Sequence, residues 1–140
     1  LVLPRFDFAR MSRWALGKHW RTLAEAERQL FSTEFRLLLV RAYAKVLLEY
    51  NNEQFAYGPA ESMAQGQFIV VTQRITNPDG SRNLPIEYRM HFEGAEWKVV
   101  DMVIDGVSLI ANYRAAFDSE IRSKGFEGLI RTLQARNRRG

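Results

Sequence analysis

The chain has 140 residues, of which 46% are hydrophobic and 12% aromatic, a composition typical of a folded domain and not of a disordered segment. The length predicts a single domain over residues 1–140, and no stretch approaches the roughly 20 apolar residues of a membrane-spanning helix, so we expect a soluble protein. Because the sequence has no cysteine, disulfides, thiol chemistry and cysteine-ligated zinc are excluded.

The excess positive charge lies in a C-terminal tail. The net charge is +4; Arg131, Arg136, Arg138 and Arg139 fall within the last ten residues, and the other 130 residues carry 16 basic and 16 acidic side chains. A basic helix end is favoured by the helix dipole, and this tail lacks the interleaved aromatic side chains of a single-strand-binding groove. We therefore expect no nucleic-acid partner.

The first part of the chain predicts two helices. The segment from Phe6 to Leu16 predicts a short helix that ends at Gly17. Its predicted stripe contains Phe6, Ala9, Arg10, Arg13, Trp14 and Gly17. Thr22 and Glu25 have the spacing of a capping box, which predicts the start of a long helix that reaches Tyr50.

The long helix has a broad apolar stripe. Its apolar residues recur at steps of three and four, at Leu30, Phe31, Phe35, Leu38, Leu39, Ala42, Val46 and Tyr50. Three further leucines widen the stripe, at Leu37, Leu47 and Leu48. A helix this broadly apolar must be covered on more than one side, by the fold or by something that the fold holds.

Four strands are predicted next, at Gln54–Gly58, Gln67–Thr76, Leu84–Glu93 and Glu96–Asp105. The sequence Asn77-Pro78-Asp79-Gly80 predicts a turn between the second and third. The third strand alternates, with Ile86, Tyr88, Met90 and Phe92 on one face and Glu87, Arg89, His91 and Glu93 on the other. This alternation predicts an antiparallel sheet with one solvated side.

Two helices close the chain. The first stripe contains Leu109, Ile110, Tyr113, Phe117 and Ile121, and the helix ends at Gly125; the second contains Phe126, Leu129, Ile130 and Leu133. The order of helices, strands and helices predicts an α+β fold. In this fold a curved antiparallel, or mixed, sheet of about four strands is wrapped by the N- and C-terminal helices.

Two aspartates at the end of the last strand have the wrong spacing for a catalytic pair. Asp101 and Asp105 lie about 13 Å apart on an extended strand, beyond the ~5–9.5 Å that separates glycosidase carboxylates. We expect Asp105 and Gly106 to form a bend and Asp101 to make a local polar contact.

Ser108 and the two histidines also favour structural roles. Ser108 with His91 and an aspartate would form a nucleophilic triad, but a lone serine does not imply that geometry. Its position just before Leu109 is that of a helix N-cap. Neither His19 nor His91 has a second ligand at helical or strand spacing, so we expect no metal site.

Two sequence blocks together resemble one protein family. The first, LPRFDFARMSRWALGKHWR from Leu3 to Arg21, contains Leu-Pro, Phe-Asp-Phe and Leu-Gly-Lys. The second begins at Trp97 and contains Asp-Gly-Val-Ser, Asn-Tyr-Arg and a Lys-Gly break before Gly-Leu-Ile. In this order and spacing the blocks resemble the MlaC family, also called the toluene-tolerance family, whose members are periplasmic phospholipid carriers of Gram-negative bacteria.

The resemblance implies a cone-like fold similar to nuclear transport factor two, with an apolar cavity, no catalysis and no cofactor apart from bound phospholipid as cargo. It implies transient contacts with two partners, an outer-membrane lipoprotein with its porin and an inner-membrane ABC transporter with its substrate-binding hexamer. Family members carry a signal peptide and further helical sequence before the Leu-Pro pair, and we expect both to be absent from this chain.

The resemblance also assigns the apolar stripes to a lipid-binding pocket, since a core and a cavity use the same residue types. The predicted pocket contains Phe35, Leu38, Leu39, Ala42, Val46, Ile86, Tyr88, Met90, Trp97, Val99, Val103, Val107, Leu109, Ile110, Tyr113 and Phe117. Val107, in a bend between Gly106 and Ser108, is either tucked under the last helix or exposed at the cavity mouth; we expect the mouth.

Two alternatives stay open at this point. A cone-fold isomerase or dehydratase of the ketosteroid type would use Asp101, which shares strand parity with Val99 and Val103, as its acid or base. An interaction module would dock its basic tail on an acidic partner, and its binding would weaken with salt.

Overall fold

The computed structural model describes residues 6–49, 55–57, 61–63, 68–75, 84–93 and 96–139, with side chains at 6–42, 87–92 and 98–139. The chain divides into two compact units. The sheet unit contains Leu1–Asp7 and Leu48–Leu109, and the helical unit contains Phe8–Leu47 and Ile110–Gly140. Within the described residues, no helix is both long and apolar enough to cross a membrane.

The first helix of the helical unit, α1, spans Phe8–Leu16. It ends where predicted, because Gly17 adopts a φ of 56° that few other residues tolerate. A 3₁₀ helix follows at Gly17–Thr22. The predicted stripe was wrong, since the buried residues are Met11, Ser12, Ala15 and Leu16, whereas Ala9 and Arg13 are exposed.

The second helix, α2, spans Glu25–Glu49. The predicted capping box was two residues early. The side chain of Glu27 accepts a hydrogen bond from the backbone N–H of Ala24 at 2.8 Å, as a residue in the third helical position does. Thr22 belongs to the 3₁₀ helix, where its hydroxyl donates to the carbonyl of His19.

Only part of the predicted apolar stripe of α2 is buried. Phe31, Phe35, Leu38 and Leu39 are buried, whereas Leu30, Leu37 and Val40 are each more than 40% exposed. Ala42 is also exposed. The side chains of Val46, Leu47, Leu48 and Tyr50 lie outside the described residues.

The last helix, α3, spans Leu109–Arg138 and is interrupted at the predicted break. Gly125 has φ 74° and ψ 173°, a backbone conformation essentially restricted to glycine, so the element consists of helical segments 109–124 and 126–138. Both predicted stripes supply buried residues, namely Leu109, Ile110, Phe117, Leu129, Ile130 and Leu133.

The described strands form one antiparallel sheet. They are β1 at Phe55–Tyr57, β2 at Glu61–Met63, β3 at Phe68–Ile75, β4 at Leu84–Glu93, β5 at Glu96–Ile104 and β6 at Val107–Ser108. The pairing order is β1-β3-β4-β5-β6, and β2 also pairs with β3. This confirms the α+β fold and the four predicted strands, adding β2 and β6. The predicted turn at Asn77–Gly80 lies outside the described residues.

A β-bulge interrupts the pairing of β4 with β5. Arg89 pairs with Asp101 and Met90 pairs with Val99, so Val100 is an extra residue on β5. Bulges disturb the regular inside–outside pattern of a ladder. The burial of two β4 side chains also differs from the prediction: His91, expected on the solvated face, is buried, and Phe92, expected on the apolar face, is 48% exposed.

Asp105 and Gly106 form the predicted bend, as the turn of a hairpin. Both residues have positive φ, 51° and 84°, as in the type I′ turns that favour the Asp-Gly sequence. Ile104 pairs with Val107 directly across the turn. The first described residues of the chain also pair with β5. Phe6 forms a parallel bridge with Val99, and the N–H of Asp7 donates to the Val99 carbonyl at 2.9 Å.

Candidate functional site

Four aromatic side chains of the helical unit form a compact group, which we call the aromatic cluster: Phe31, Phe35, Tyr113 and Phe117. The pairs Phe31–Phe35 and Tyr113–Phe117 stack along their own helices, with ring centroids 5.4 and 5.3 Å apart. Edge-to-face contacts at 5.4 to 5.5 Å join α2 to α3. The three phenylalanines are buried and Tyr113 is half-buried.

The aromatic cluster unites three of the predicted pocket residues and adds Phe31. The sequence analysis placed Phe31 in the stripe of α2 but not in the pocket; its four-residue spacing from Phe35 is the signal that could have identified it as a neighbour. Of the other pocket residues predicted in this unit, Leu38, Leu39 and Ile110 are buried. Ala42 is exposed, and the side chain of Val46 lies outside the described residues.

The sheet unit contributes the remaining predicted pocket residues. Tyr88, Val99, Val103 and Leu109 are buried, whereas Met90 is half-buried. Register places Met90 opposite Val99 on the neighbouring strand, and Tyr88 opposite Met102. The side chains of Ile86 and Trp97 lie outside the described residues. A pocket formed by these residues stays a prediction.

Val107 is 57% exposed, so it is not tucked under a helix as one of the two sequence interpretations required. It lies in β6, next to the turn, and is not part of an irregular bend. An exposed β-branched apolar residue at a hairpin end is consistent with a position at a cavity mouth, which stays a prediction.

β5 is buried on both of its faces, which sequence reasoning missed. Five consecutive residues, from Val99 to Val103, are each at most 8% exposed, although successive strand residues point to opposite faces. Val100 and Met102 were therefore omitted from the predicted apolar set. Their signal in the sequence is the near-continuous apolar run, which is typical of a strand covered on both sides.

Asp101 lies within that run and forms the local polar contact that the sequence predicts. It is 3% exposed, and its Oδ1 accepts a hydrogen bond from the N–H of Met102 at 2.8 Å. Its Oδ2 accepts one from the hydroxyl of Ser108 at 2.5 Å and lies 3.6 Å from Nη1 of Arg89. Ser108 directly precedes α3, in the predicted cap position, and its hydroxyl donates to the carboxylate of Asp101.

A second polar contact lies in the helical unit, where Nε2 of His19 donates to Oδ1 of Asp118 at 2.7 Å. The hydrogen bond from His19 lowers the pKa of the Asp118 carboxyl below its ordinary value of 3.8; burial opposes this, and the charges of Arg122 and Lys18 reinforce it. The partner of His19 is 99 positions away in the sequence, so helical or strand spacing could not reveal it. Both residues border a groove of about 420 Å³.

Metal-ligating side chains do not cluster in the part of the chain that the structure describes. There, no group of three or more His, Asp or Glu residues is arranged to hold a metal ion. Asp101 contacts the Met102 N–H, the Ser108 hydroxyl and the Arg89 guanidinium, and Asp118 contacts the His19 imidazole and the Arg122 guanidinium.

Comparison with known sequences assigns the chain to a family. The sequence profile described as MlaC protein matches residues 1–135. The chain therefore belongs to the MlaC family.

Two relatives and one solved structure are similar to this chain. The toluene tolerance protein ttg2D of Pseudomonas putida is 28% identical over 108 residues, which are 77% of this chain and 49% of that protein. The intermembrane phospholipid transport system binding protein MlaC of Haemophilus influenzae is 24% identical over 135 residues, which are 95% of this chain and 63% of that protein. This chain thus spans less than two thirds of either relative.

The solved structure is a phospholipid-binding protein from Ralstonia solanacearum in complex with a phospholipid. It matches with a TM-score of 0.86 at 31% identity, over 99% of this chain and 76% of that one.

Proposed function

We propose that this chain is a periplasmic carrier that holds the acyl chains of a glycerophospholipid and moves the lipid between the outer and inner membranes, maintaining outer-membrane lipid asymmetry. The observation that carries the proposal is the similar structure from Ralstonia solanacearum, which contains a phospholipid. Membership of the MlaC family supports it independently.

The predicted pocket residues suit acyl chains because they are almost all aliphatic or aromatic. Each methylene removed from water contributes about 0.8 kcal/mol, so two acyl chains supply strong affinity without a dedicated headgroup site. Tyr113 is half-buried at the edge of the aromatic cluster, and Met90 is half-buried on β4.

The same affinity implies that the lipid does not leave through water. Exposing two acyl chains at about 0.8 kcal/mol per methylene would make spontaneous release slow, so transfer requires contact with a donor or acceptor. We infer two such partners, an outer-membrane lipoprotein with its porin and an inner-membrane ABC transporter with its substrate-binding hexamer.

We further infer that the chain is not an enzyme. A ketosteroid-type isomerase would need Asp101 as a proton acceptor within reach of its substrate. Both oxygens of Asp101 instead accept hydrogen bonds, from Met102 and Ser108. A carboxylate engaged in this way supports the β5–β6 hairpin and is poorly placed to take a proton from a ligand.

The test is lipid analysis of the purified protein. The chain is produced with an export signal in a Gram-negative bacterium, purified without detergent, and extracted with organic solvent for mass spectrometry. We expect diacyl glycerophospholipid in a fixed ratio to protein. An unrelated exported protein purified in parallel sets the background, and a folded sample with no phospholipid above that background would contradict the proposal.

A further inference from the structure

A small cavity in the helical unit combines positive charge with aromatic walls. Its volume is about 170 Å³. We call it the arginine cavity, and its lining residues are Arg13, Trp14, Gly17, Trp20, Arg21 and Arg114. The described residues that line it include no carboxylate, and within the described part of the chain none of its three arginines forms an ion pair. Neighbouring positive charges repel one another. An anion bound between them would relieve that repulsion.

Arg114 is held in place before any ligand binds. Its Nε donates to the backbone carbonyl of Trp14 at 2.7 Å, which leaves the two terminal nitrogens of the guanidinium for another partner. Gly17 makes room for this side chain, since a Cβ at position 17 would lie 3.3 Å from Cδ of Arg114. A guanidinium fixed in advance loses little conformational freedom on binding.

The two tryptophans are also fixed, by further arginines. The guanidinium of Arg28 lies 5.1 Å from the ring centroid of Trp20, and its Nε donates to the Trp20 carbonyl at 3.0 Å. The guanidinium of Arg10 lies 5.9 Å from the ring centroid of Trp14. These contacts rigidify the aromatic walls and add positive charge beside the cavity.

The size and chemistry of the cavity identify its ligand as a small oxyanion. Its volume is well below the roughly 300–1,000 Å³ of sites for drug-sized molecules, so it fits a single group. Guanidinium forks bind phosphate oxygens through paired hydrogen bonds, and indole N–H groups are additional donors. We propose that the arginine cavity binds a phosphate group, either inorganic phosphate or the phosphate of a phospholipid headgroup at a bilayer surface.

The three tryptophans of the chain allow a direct test. The indole N–H resonances of Trp14 and Trp20 report on the cavity, and that of Trp97, in β5, is an internal reference. We expect a titration with inorganic phosphate, at constant ionic strength set with chloride, to move the first two signals saturably and leave the third unchanged. Absence of a saturable change would overturn the proposal.

A matched pair of double variants tests the arginines. Arg13→Gln with Arg21→Gln removes two exposed positive charges from the cavity, and we expect at least a tenfold loss of phosphate affinity. Arg138→Gln with Arg139→Gln removes the same charge from the exposed C-terminal tail and should leave affinity unchanged. Equal losses in both variants would mean that phosphate responds only to net charge, and the cavity assignment would be wrong.

Two further titrations define the ligand. Acetate that moved the indole signals as strongly as phosphate would overturn the phosphate assignment and favour acidic side chains of a protein. Vesicles of phosphatidylglycerol that bind the protein and are displaced by inorganic phosphate identify a headgroup source, whereas phosphate binding without vesicle binding identifies the free ion. Because inorganic phosphate has no acyl chains, these results are independent of the carrier proposal.

Discussion

The side chains of His19 and Asp118 are joined by a 2.7 Å hydrogen bond, although 99 positions separate them in the sequence. The contact ties the 3₁₀ helix that follows α1 to the first segment of α3, within the helical unit. Arg122, one turn further along α3, lies 3.7 Å from the other oxygen of the same carboxylate. Asp118 therefore accepts a hydrogen bond from His19 and forms an ion pair with Arg122 at the edge of a groove.

Asp118 should make stability depend on acid pH. The hydrogen bond from His19 lowers the folded pKa of Asp118 below its ordinary value of 3.8, so the carboxylate stabilises the fold above that pH and loses its contribution as the pH falls through the folded pKa. We expect urea unfolding to show the wild type more stable than Asp118→Asn at about pH 5, and the difference to vanish at lower pH. The exposed Glu127→Gln variant is the control and should follow the wild type throughout.

The His19–Asp118 contact was beyond the reach of sequence reasoning for a physical reason. Local patterns predict caps, turns and stripes because those depend on residues three or four positions apart. Asp118 lies in a predicted helix, whereas His19 lies in the 3₁₀ helix between the first two predicted helices, and only the packing of α3 against this segment brings the two residues together. Side-chain packing determines which residues of two sequence-distant helices meet. The periodicity within each helix does not specify those contacts.

Removing the hydroxyl of Ser108 should lower stability without affecting lipid content. This hydroxyl donates to the buried carboxylate of Asp101, and a hydrogen bond to a charged group contributes about 1.5–3 kcal/mol. We expect Ser108→Ala to reduce the free energy of unfolding by an amount in that range, measured by chemical denaturation. The exposed Ser123→Ala is the matched control and should be nearly neutral.

Lipid analysis of the same variant separates a structural role from a chemical one. We expect Ser108→Ala and Asp101→Asn to retain their phospholipid once folded. A variant with wild-type stability and wild-type lipid content that failed to transfer lipid would instead assign chemistry to this pair.

β4 shows both the success and the limit of sequence patterns. Its bounds, Leu84–Glu93, were predicted from alternation, and they are those of the structure. Alternation did not predict the burial of His91 or the exposure of Phe92, nor the bulge at Val100, which lies on the neighbouring strand. A bulge on β5 leaves no mark in the sequence of β4, so alternation alone could not predict it.

Gly125 should resist substitution more than its exposed position suggests. Its conformation, φ 74° and ψ 173°, is essentially restricted to glycine, and forcing another residue into it costs about 1–3 kcal/mol. We expect Gly125→Ala to lower the free energy of unfolding by that amount, because the break between the two segments of α3 would be strained or lost. Glu127→Ala, an exposed substitution two residues further on, should not destabilise the chain, since alanine has the highest helix propensity.

The pocket assignment is the part of the site that sequence reasoning could least determine. Phe35 and Phe117 are fully packed in the aromatic cluster, as core residues would be, and each was predicted to line a cavity. Core and cavity walls share composition, so only a perturbation of lipid content separates the two. Val107 is well suited to such a test. Because it is 57% exposed, a substitution there can change the lipid content with little risk of unfolding the protein.

We expect Val107→Glu to yield a folded protein that has lost its phospholipid. If Val107 lies at the cavity mouth, the carboxylate would sit beside entering acyl chains, and burying it unpaired against them costs several kcal/mol. Val40→Glu is the matched control, the same substitution at an apolar residue of α2 that is 43% exposed and outside the predicted pocket. It should keep its lipid.

Thermal melts and extracted lipid, measured side by side for both variants, decide the assignment. Both proteins should melt close to the wild type, because neither substitution buries a charge in the ligand-free chain. Loss of lipid from Val107→Glu alone places this residue at the mouth of the pocket. A normal lipid load in Val107→Glu, or equal losses in both variants, would show that the end of the β5–β6 hairpin does not border the path of the acyl chains.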